Sequence, residues 1–281
     1  MSRNRAYILT LFAMIAFAGN SLLDRFALKH TAIDAASFTS IRIISGAIAL
    51  GLIVRMRGGA QSAVGSWYSA LALFGYAACF SFAYISLPTA TGALLLFSAV
   101  QATMIGYGLW SGERLRERQV AGLVCAFGGL VALLLPGLST PPLFGSVLML
   151  SAGVCWGIYS LRGKGAGDPI NVTAGNFLRA VAFTAVLSAV MIPWSSLDSS
   201  GILYAVISGA LTSGVGYTIW YTALRGLNAA SAATVQLSVP VIAAIGGILF
   251  LNETITLHLA IASIAILGGI AMVIFDKQRL A

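Results

Sequence analysis

Two short stretches, Leu109-Trp110-Ser111-Gly112-Glu113 and Leu249-Phe250-Leu251-Asn252-Glu253, line up at an offset of 140 residues. The same offset sets Ala126-Phe127-Gly128-Gly129-Leu130 beside Ile266-Leu267-Gly268-Gly269-Ile270, and Ala83 beside Ala223. Upstream, with a slightly different loop length, Ser40-Ile41-Arg42 answers Phe177-Leu178-Arg179, and Gly19 answers Gly157. The chain therefore reads as one unit written twice, over residues 1–138 and 139–281.

Composition says where such a unit lives. Of the 281 residues, 59% are apolar and 9% are charged, with a mean hydropathy of +0.94. A soluble domain carries about 25% charged residues. A water-facing surface cannot be covered with so few, which excludes a soluble enzyme, a disordered chain and a nucleic-acid-binding domain. The remaining class is an all-α polytopic membrane protein. A spanning helix needs about 20 apolar residues, because roughly 30 Å of hydrocarbon is crossed at 1.5 Å per residue. Breaks at charge, Pro and Gly leave ten such runs: Ala6–Leu23, Ala35–Val54, Ser66–Leu87, Thr89–Trp110, Gln119–Leu135, Leu143–Leu161, Asn171–Ile192, Gly201–Leu224, Ala229–Leu251 and Thr256–Phe275.

Five runs fall in each copy. Five is odd, so the second copy enters the bilayer in the opposite sense, and a pseudo-two-fold axis in the membrane plane relates the two. The uncharged linker, Leu135-Pro136-Gly137-Leu138-Ser139-Thr140-Pro141-Pro142, suits an outer loop. The net charge of +8 is distributed to match. With the N-terminus inside, cytoplasmic segments collect Arg3, Arg5, Arg55, Arg57, Arg114, Arg116, Arg118, Arg162, Lys164, Arg225, Lys277 and Arg279, and outer loops only Arg25 and Lys29. That bias predicts a multi-pass inner-membrane protein with both termini cytoplasmic. Arg3, Arg5 and Ala16-Phe17-Ala18 also resemble a cleavable signal peptide. The first span has a counterpart around Gly157 that cannot be one, so it is read as retained.

Inverted copies can pack in two nearly equivalent ways, which is the mechanical basis of alternating access around a midplane site. Polar and aromatic side chains should line that site, since lipid-facing polar groups are costly. Tyr217, Trp220 and Tyr221 share a face at i, i+3 and i+4, as do Trp156 and Tyr159. Asn20, Gln101 and Gln236 are mid-span amides able to meet an ammonium, carboxylate or hydroxyl, or else to bond between helices. Trp67, Trp110 and Trp194 lie at span ends, as interfacial anchors do.

Other residues read as structural or gating. Arg42 and Arg179 lie at matching depths in opposite leaflets, as guanidinium groups tying helix ends together through backbone carbonyls. Glu113 and Glu253 end the fourth and ninth spans, and Pro240 should kink the ninth near its middle. No carboxylate reads as deep in a span, Asp24 coming closest near the outer end of the first, so the sequence shows no clear coupling residue. Cys79, Cys125 and Cys155 read as buried free thiols, and His30 and His258 lie far from any ligand cluster, so no metal and no cofactor is expected. Arg162-Gly163-Lys164-Gly165-Ala166-Gly167 lacks the spacing and hydroxyl of a phosphate loop.

A small-residue helix, a Gly-Glu or Asn-Glu end and a Gly-Gly helix, from Ala83 to Gly129 and again from Ala223 to Gly269, resemble the EamA-type repeat of the drug/metabolite transporter superfamily. The resemblance covers nearly the whole chain. It implies ten helices as two inverted five-helix repeats around a central cavity, lined by helices 1, 3, 4, 6, 8 and 9, and frequently export of amino acids or other metabolites. Carried onto this sequence, that lining selects Asn20, Tyr76, Gln101, Trp156, Tyr159, Tyr217, Tyr221 and Gln236. Ala18-Gly19 stands where the family often has Trp-Gly, kept here at Trp156-Gly157, and Val100-Gln101 stands where a Pro is usual. The expected partners are a small-molecule substrate and the lipid bilayer, with no nucleic acid, and the protein itself a monomer or homodimer. The alternative is an integral membrane enzyme acting on a lipid-linked group.

Overall fold

A computed structural model describes residues 3–58, 64–112, 114–135, 140–163, 167–224 and 235–278. In chain order the helices are α1 (Arg3–His30), α2 (Ala35–Met56), α3 (Trp67–Tyr84), α4 (Thr89–Trp110), α5 (Glu117–Leu134), α6 (Leu143–Gly163) and α7 (Pro169–Met191). Next comes α8, built from Ser199–Val206, a π-helical stretch Ile207–Val215, and Gly216–Leu224; α9 (Ser238–Leu251) and α10 (Leu257–Gln278) complete the set. No strand is present among the described residues. Eight of the helices are long and apolar enough to cross a bilayer. Their outward side chains include Val124, Phe127, Val186 and Ile264, each more than 60% exposed, while Asn20, Asp24, Arg42, Ser81 and Ser208 are buried. The apolar surface and polar interior are those of a protein whose outer solvent is lipid.

Local chemistry explains where the helices start and stop. Asp34 Oδ1 accepts from the Ala36 and Ser37 amides at 2.9 Å, capping α2, and Asp198 caps α8 through Gly201 N at 2.9 Å. Asp168 caps α7, whose first residue is Pro169, a position where the missing N–H costs nothing. The Gly112 and Asn252 of the duplicated motif both adopt left-handed backbone, at φ 92° and 51°. Each ends its helix as only Gly or Asn does readily, which is the physical reason for the motif.

Two departures from the sequence reading matter. The first span runs on to His30 rather than ending at Leu23, which draws Asp24 and Arg25 into the helix. Pro240 does not kink the middle of a continuous ninth helix. The helix breaks at Leu237, and Pro240 is the third residue of the new segment, where its missing N–H again goes unneeded.

Packing follows the offset. A Cβ on Gly129 would stand 3.2 Å from Ile266 N, and one on Gly269 would stand 2.6 Å from Ala126 N, so α5 and α10 exchange equivalent contacts. Cys125 Sγ meets the carbonyl of Ala265, its own counterpart, at 3.5 Å. Cys125 is thereby exposed on the flank of the pair rather than buried. In the same way α6 rests on α3 and α4 while α1 rests on α8 and α9, and α2 rests on α7. The core these contacts enclose is centred on α1, α3, α4, α6 and α8.

Candidate functional site

An enclosed cavity lies at the centre of that core. Phe17 and Asn20 of α1, Tyr76 and Phe80 of α3, Leu96 and Phe97 of α4, Trp156 of α6 and Tyr217 of α8 form its walls. Its volume is about 10 Å³, room for about one water. Aromatic edges hold it shut: Trp156 lies 4.9 Å from Tyr217 and 5.0 Å from Tyr76, and Phe17 meets Trp156, Tyr217 and Trp220 edge-on at 6.0, 5.8 and 5.7 Å, all between ring centroids. Offset and edge-on pairs of this kind are favourable beyond the area they bury.

Behind Asn20 and Tyr76 stands a buried ion pair. Arg42 Nη1 donates to Asp24 Oδ2 at 3.4 Å, with both side chains essentially inaccessible. Arg42 Nη2 donates to the Tyr76 hydroxyl at 3.0 Å and Nε to Ser213 Oγ at 3.3 Å. The guanidinium also lies 5.3 Å over the Tyr76 ring and 5.0 Å over that of Phe80. Ser81 donates to Asp24 Oδ1 at 2.7 Å, and Ser208 approaches Oδ2 at 3.4 Å. Asn20 Oδ1 meets the hydroxyls of Ser208, Thr212 and Ser213. A charge in a low-dielectric interior is tolerable only when paired and hydrogen-bonded, and here the pair draws on α1, α2, α3 and α8.

The π-helical stretch makes this cluster possible. Residues five apart point about 140° away from each other at 3.6 residues per turn, whereas i→i+5 bonding brings them onto one face. Ser208 and Ser213 are five apart, and within Ile207–Val215 both reach Asn20. A regular α-helix would turn one of them away.

Of the residues selected from sequence, Asn20, Tyr76, Trp156 and Tyr217 meet at the cavity. Tyr159 stacks on Trp156 at 5.6 Å but lies one layer out; its buried hydroxyl has no hydrogen-bond partner among the described residues. Tyr221 is half-buried beside it, and Gln101 and Gln236 are buried on α4 and just before the Leu237 break, away from the cavity wall. The α9 segment contributes nothing to that wall.

The expectation that Arg42 ties backbone carbonyls is corrected: its partners are Asp24, Tyr76 and Ser213. Arg179 does behave that way, donating to Val64 O at 2.8 Å and Gly175 O at 3.0 Å. Asp24, read from the sequence as lying near the outer end of the first span, falls inside α1 and is 0% exposed, turned into the protein rather than toward an outer loop. Glu253 ties α9 to α1 and α4, with Oε1 3.3 Å from Arg25 Nε and Oε2 accepting from Thr89 N at 2.8 Å. Glu113 lies outside the described residues.

Comparison with known proteins adds the lineage. Residues 143–275 match the EamA-like transporter family. The chain is 54% identical to the uncharacterized protein PA1977 of Pseudomonas aeruginosa, covering 99% of this chain and 97% of that one. It is 27% identical to an uncharacterized transporter of Archaeoglobus fulgidus, over 95% and 96% of the two. Over 120 residues, 41% of this chain and 39% of the other, it is 35% identical to the threonine/homoserine exporter RhtA of Escherichia coli K12. A crystal structure 20% identical in sequence superposes with a TM-score of 0.70 over 99% of both chains, which shows the shared fold. The chain belongs to the EamA-like transporter family of the drug/metabolite transporter superfamily.

Proposed function

We propose that this membrane transporter exports a small amino-acid-like or aromatic metabolite by alternating access, with residues 1–138 and 139–281 acting as inverted halves. The observation that carries the reading is the central cavity, walled by aromatic rings and one amide drawn from five helices of both halves. Such a wall suits a solute with an apolar side chain and polar ends. The exporters among the partial matches support the substrate class and direction.

With room for about one water, the described conformation suits the empty, occluded step of such a cycle, and the rings must part to admit cargo. Arg25 closes one end of the bundle, donating to the Tyr84 and Ile85 carbonyls at 2.9 and 3.0 Å and pairing with Glu253. Arg162 closes the other, donating to Ser69 and Ser66 hydroxyls at 3.1 and 3.3 Å. Rocking one half against the other would release one latch at a time. In this reading the protein is multi-pass in the inner membrane with both termini cytoplasmic, works as a monomer or homodimer, and performs no chemistry on its cargo.

Purified protein in liposomes loaded with unlabelled amino acids should exchange them for labelled solute across the bilayer. Absence of counterflow across a broad panel, together with turnover of a lipid-linked substrate, would replace the carrier with a membrane enzyme.

A further inference from the structure

We propose that the hydroxyls of Tyr76 and Tyr217, backed by Arg42, form a donor site for the carboxylate of the transported solute. The inference rests on the carrier reading and assigns one end of its cargo. It follows from counting protons. Tyr76 oxygen accepts from Arg42 Nη2 at 3.0 Å, and a guanidinium offers no acceptor in return. Tyr217 walls the same cavity as Tyr76. The two tyrosines own two hydroxyl protons, and even a bond between them would use only one. At least one proton is therefore left to donate, and both side chains wall the cavity.

The charge behind them has a direction. Asp24 is occupied by Ser81 on Oδ1 and by Arg42 and Ser208 on Oδ2, and it does not reach the cavity wall. The guanidinium instead lies against Tyr76 and Phe80, both of which do. The cavity thus faces the positive end of the pair through a hydroxyl that the cation polarises. Such an end favours an anionic acceptor over a neutral amide, whose carbonyl is the weaker acceptor and whose NH2 group would face a donor.

The test is calorimetric titration of the purified full chain with L-phenylalanine and L-threonine, each against its primary amide. A hydrogen bond to an ionised partner is worth about ten-fold or more in affinity, so each acid should bind at least about ten-fold tighter than its amide. Tyr76→Phe with Tyr217→Phe keeps both rings and removes both protons; it should narrow the preference to within about three-fold. Amides binding as tightly as acids, neither acid binding, or a preference that survives in the folded double variant would each overturn the site. Counterflow of another labelled solute alongside any of these results would leave the carrier reading standing, whereas tight, hydroxyl-dependent acid binding without any counterflow would do the reverse.

Discussion

Arg42, on α2, spends its guanidinium on Asp24, Tyr76 and Ser213, whereas Arg179, which answers it in the second copy of the sequence, spends its own on the carbonyls of Val64 and Gly175. The difference traces to one position. The offset that pairs Gly19 with Gly157 pairs Asp24 with Arg162, so the slot holding a carboxylate in one copy holds a second cation in the other. Two cations cannot pair. Arg162 turns to the Ser66 and Ser69 hydroxyls and Arg179 to backbone oxygens. One copy thus backs the cavity wall with a charged pair, and its counterpart supplies a strap elsewhere in the bundle.

The largest test of that contrast is to break the ion pair. Asp24→Asn or Arg42→Gln strands the remaining partner in a buried site, and we expect a loss of about 3–5 kcal/mol, read as a collapse in the folded fraction of detergent-extracted protein. The double variant should recover much of it. If Arg179→Gln costs as much as Arg42→Gln, the contrast is gone.

Next come the places where the copies agree. Gly129→Leu and Gly269→Leu each press a side chain into the α5–α10 crossing, and each should lower thermal stability by about 1–3 kcal/mol. A large cost at one and none at the other would contradict the reciprocal packing. Arg179→Gln removes the hydrogen bonds to the Val64 and Gly175 carbonyls, so about 1 kcal/mol is expected.

The smallest effect lies outside the bilayer. Burial pushes the Asp34 carboxyl up, but bonds from Ser37, Ser196 and Ala36 outweigh it and hold the group below its ordinary 3.8. A carboxyl lowered by folding stabilises fully above that ordinary value and loses its contribution as pH falls through the lower, folded one. Melting curves should show this acid-side loss in the parent protein and a flatter profile in Asp34→Ala, which also forfeits about 1 kcal/mol of capping.

What the sequence made legible follows from distance along the chain. The duplicated Gly-Glu and Asn-Glu ends reported local backbone needs, and Gly112 and Asn252 are both left-handed. Trp67, Trp110 and Trp194 are all exposed at helix ends, as their positions implied. Asn20, Trp156 and Tyr217 were visible because aromatic and amide groups stand out in apolar runs. Asp24 is not, because a span ending at Leu23 leaves it at the outer end of the first helix, beside the loop residues Arg25 and Lys29. Only the fold shows that Arg42, eighteen residues on, turns Asp24 inward. The π-helical register of Ile207–Val215 had no local signature either; Ser208, Thr212 and Ser213 gain meaning only against Asn20. Gln101 and Gln236 are buried as their chemistry suggests, but they do not line the small cavity.

The central claim is that cargo passes through the chamber walled by Trp156 and Tyr217. Its most direct test is counterflow in liposomes by Tyr217→Ala protein, purified at the parent's folded yield. The account predicts exchange reduced about ten-fold or more, the loss of one strong hydrogen bond together with a wall of the site. Exchange at the parent's rate would contradict it.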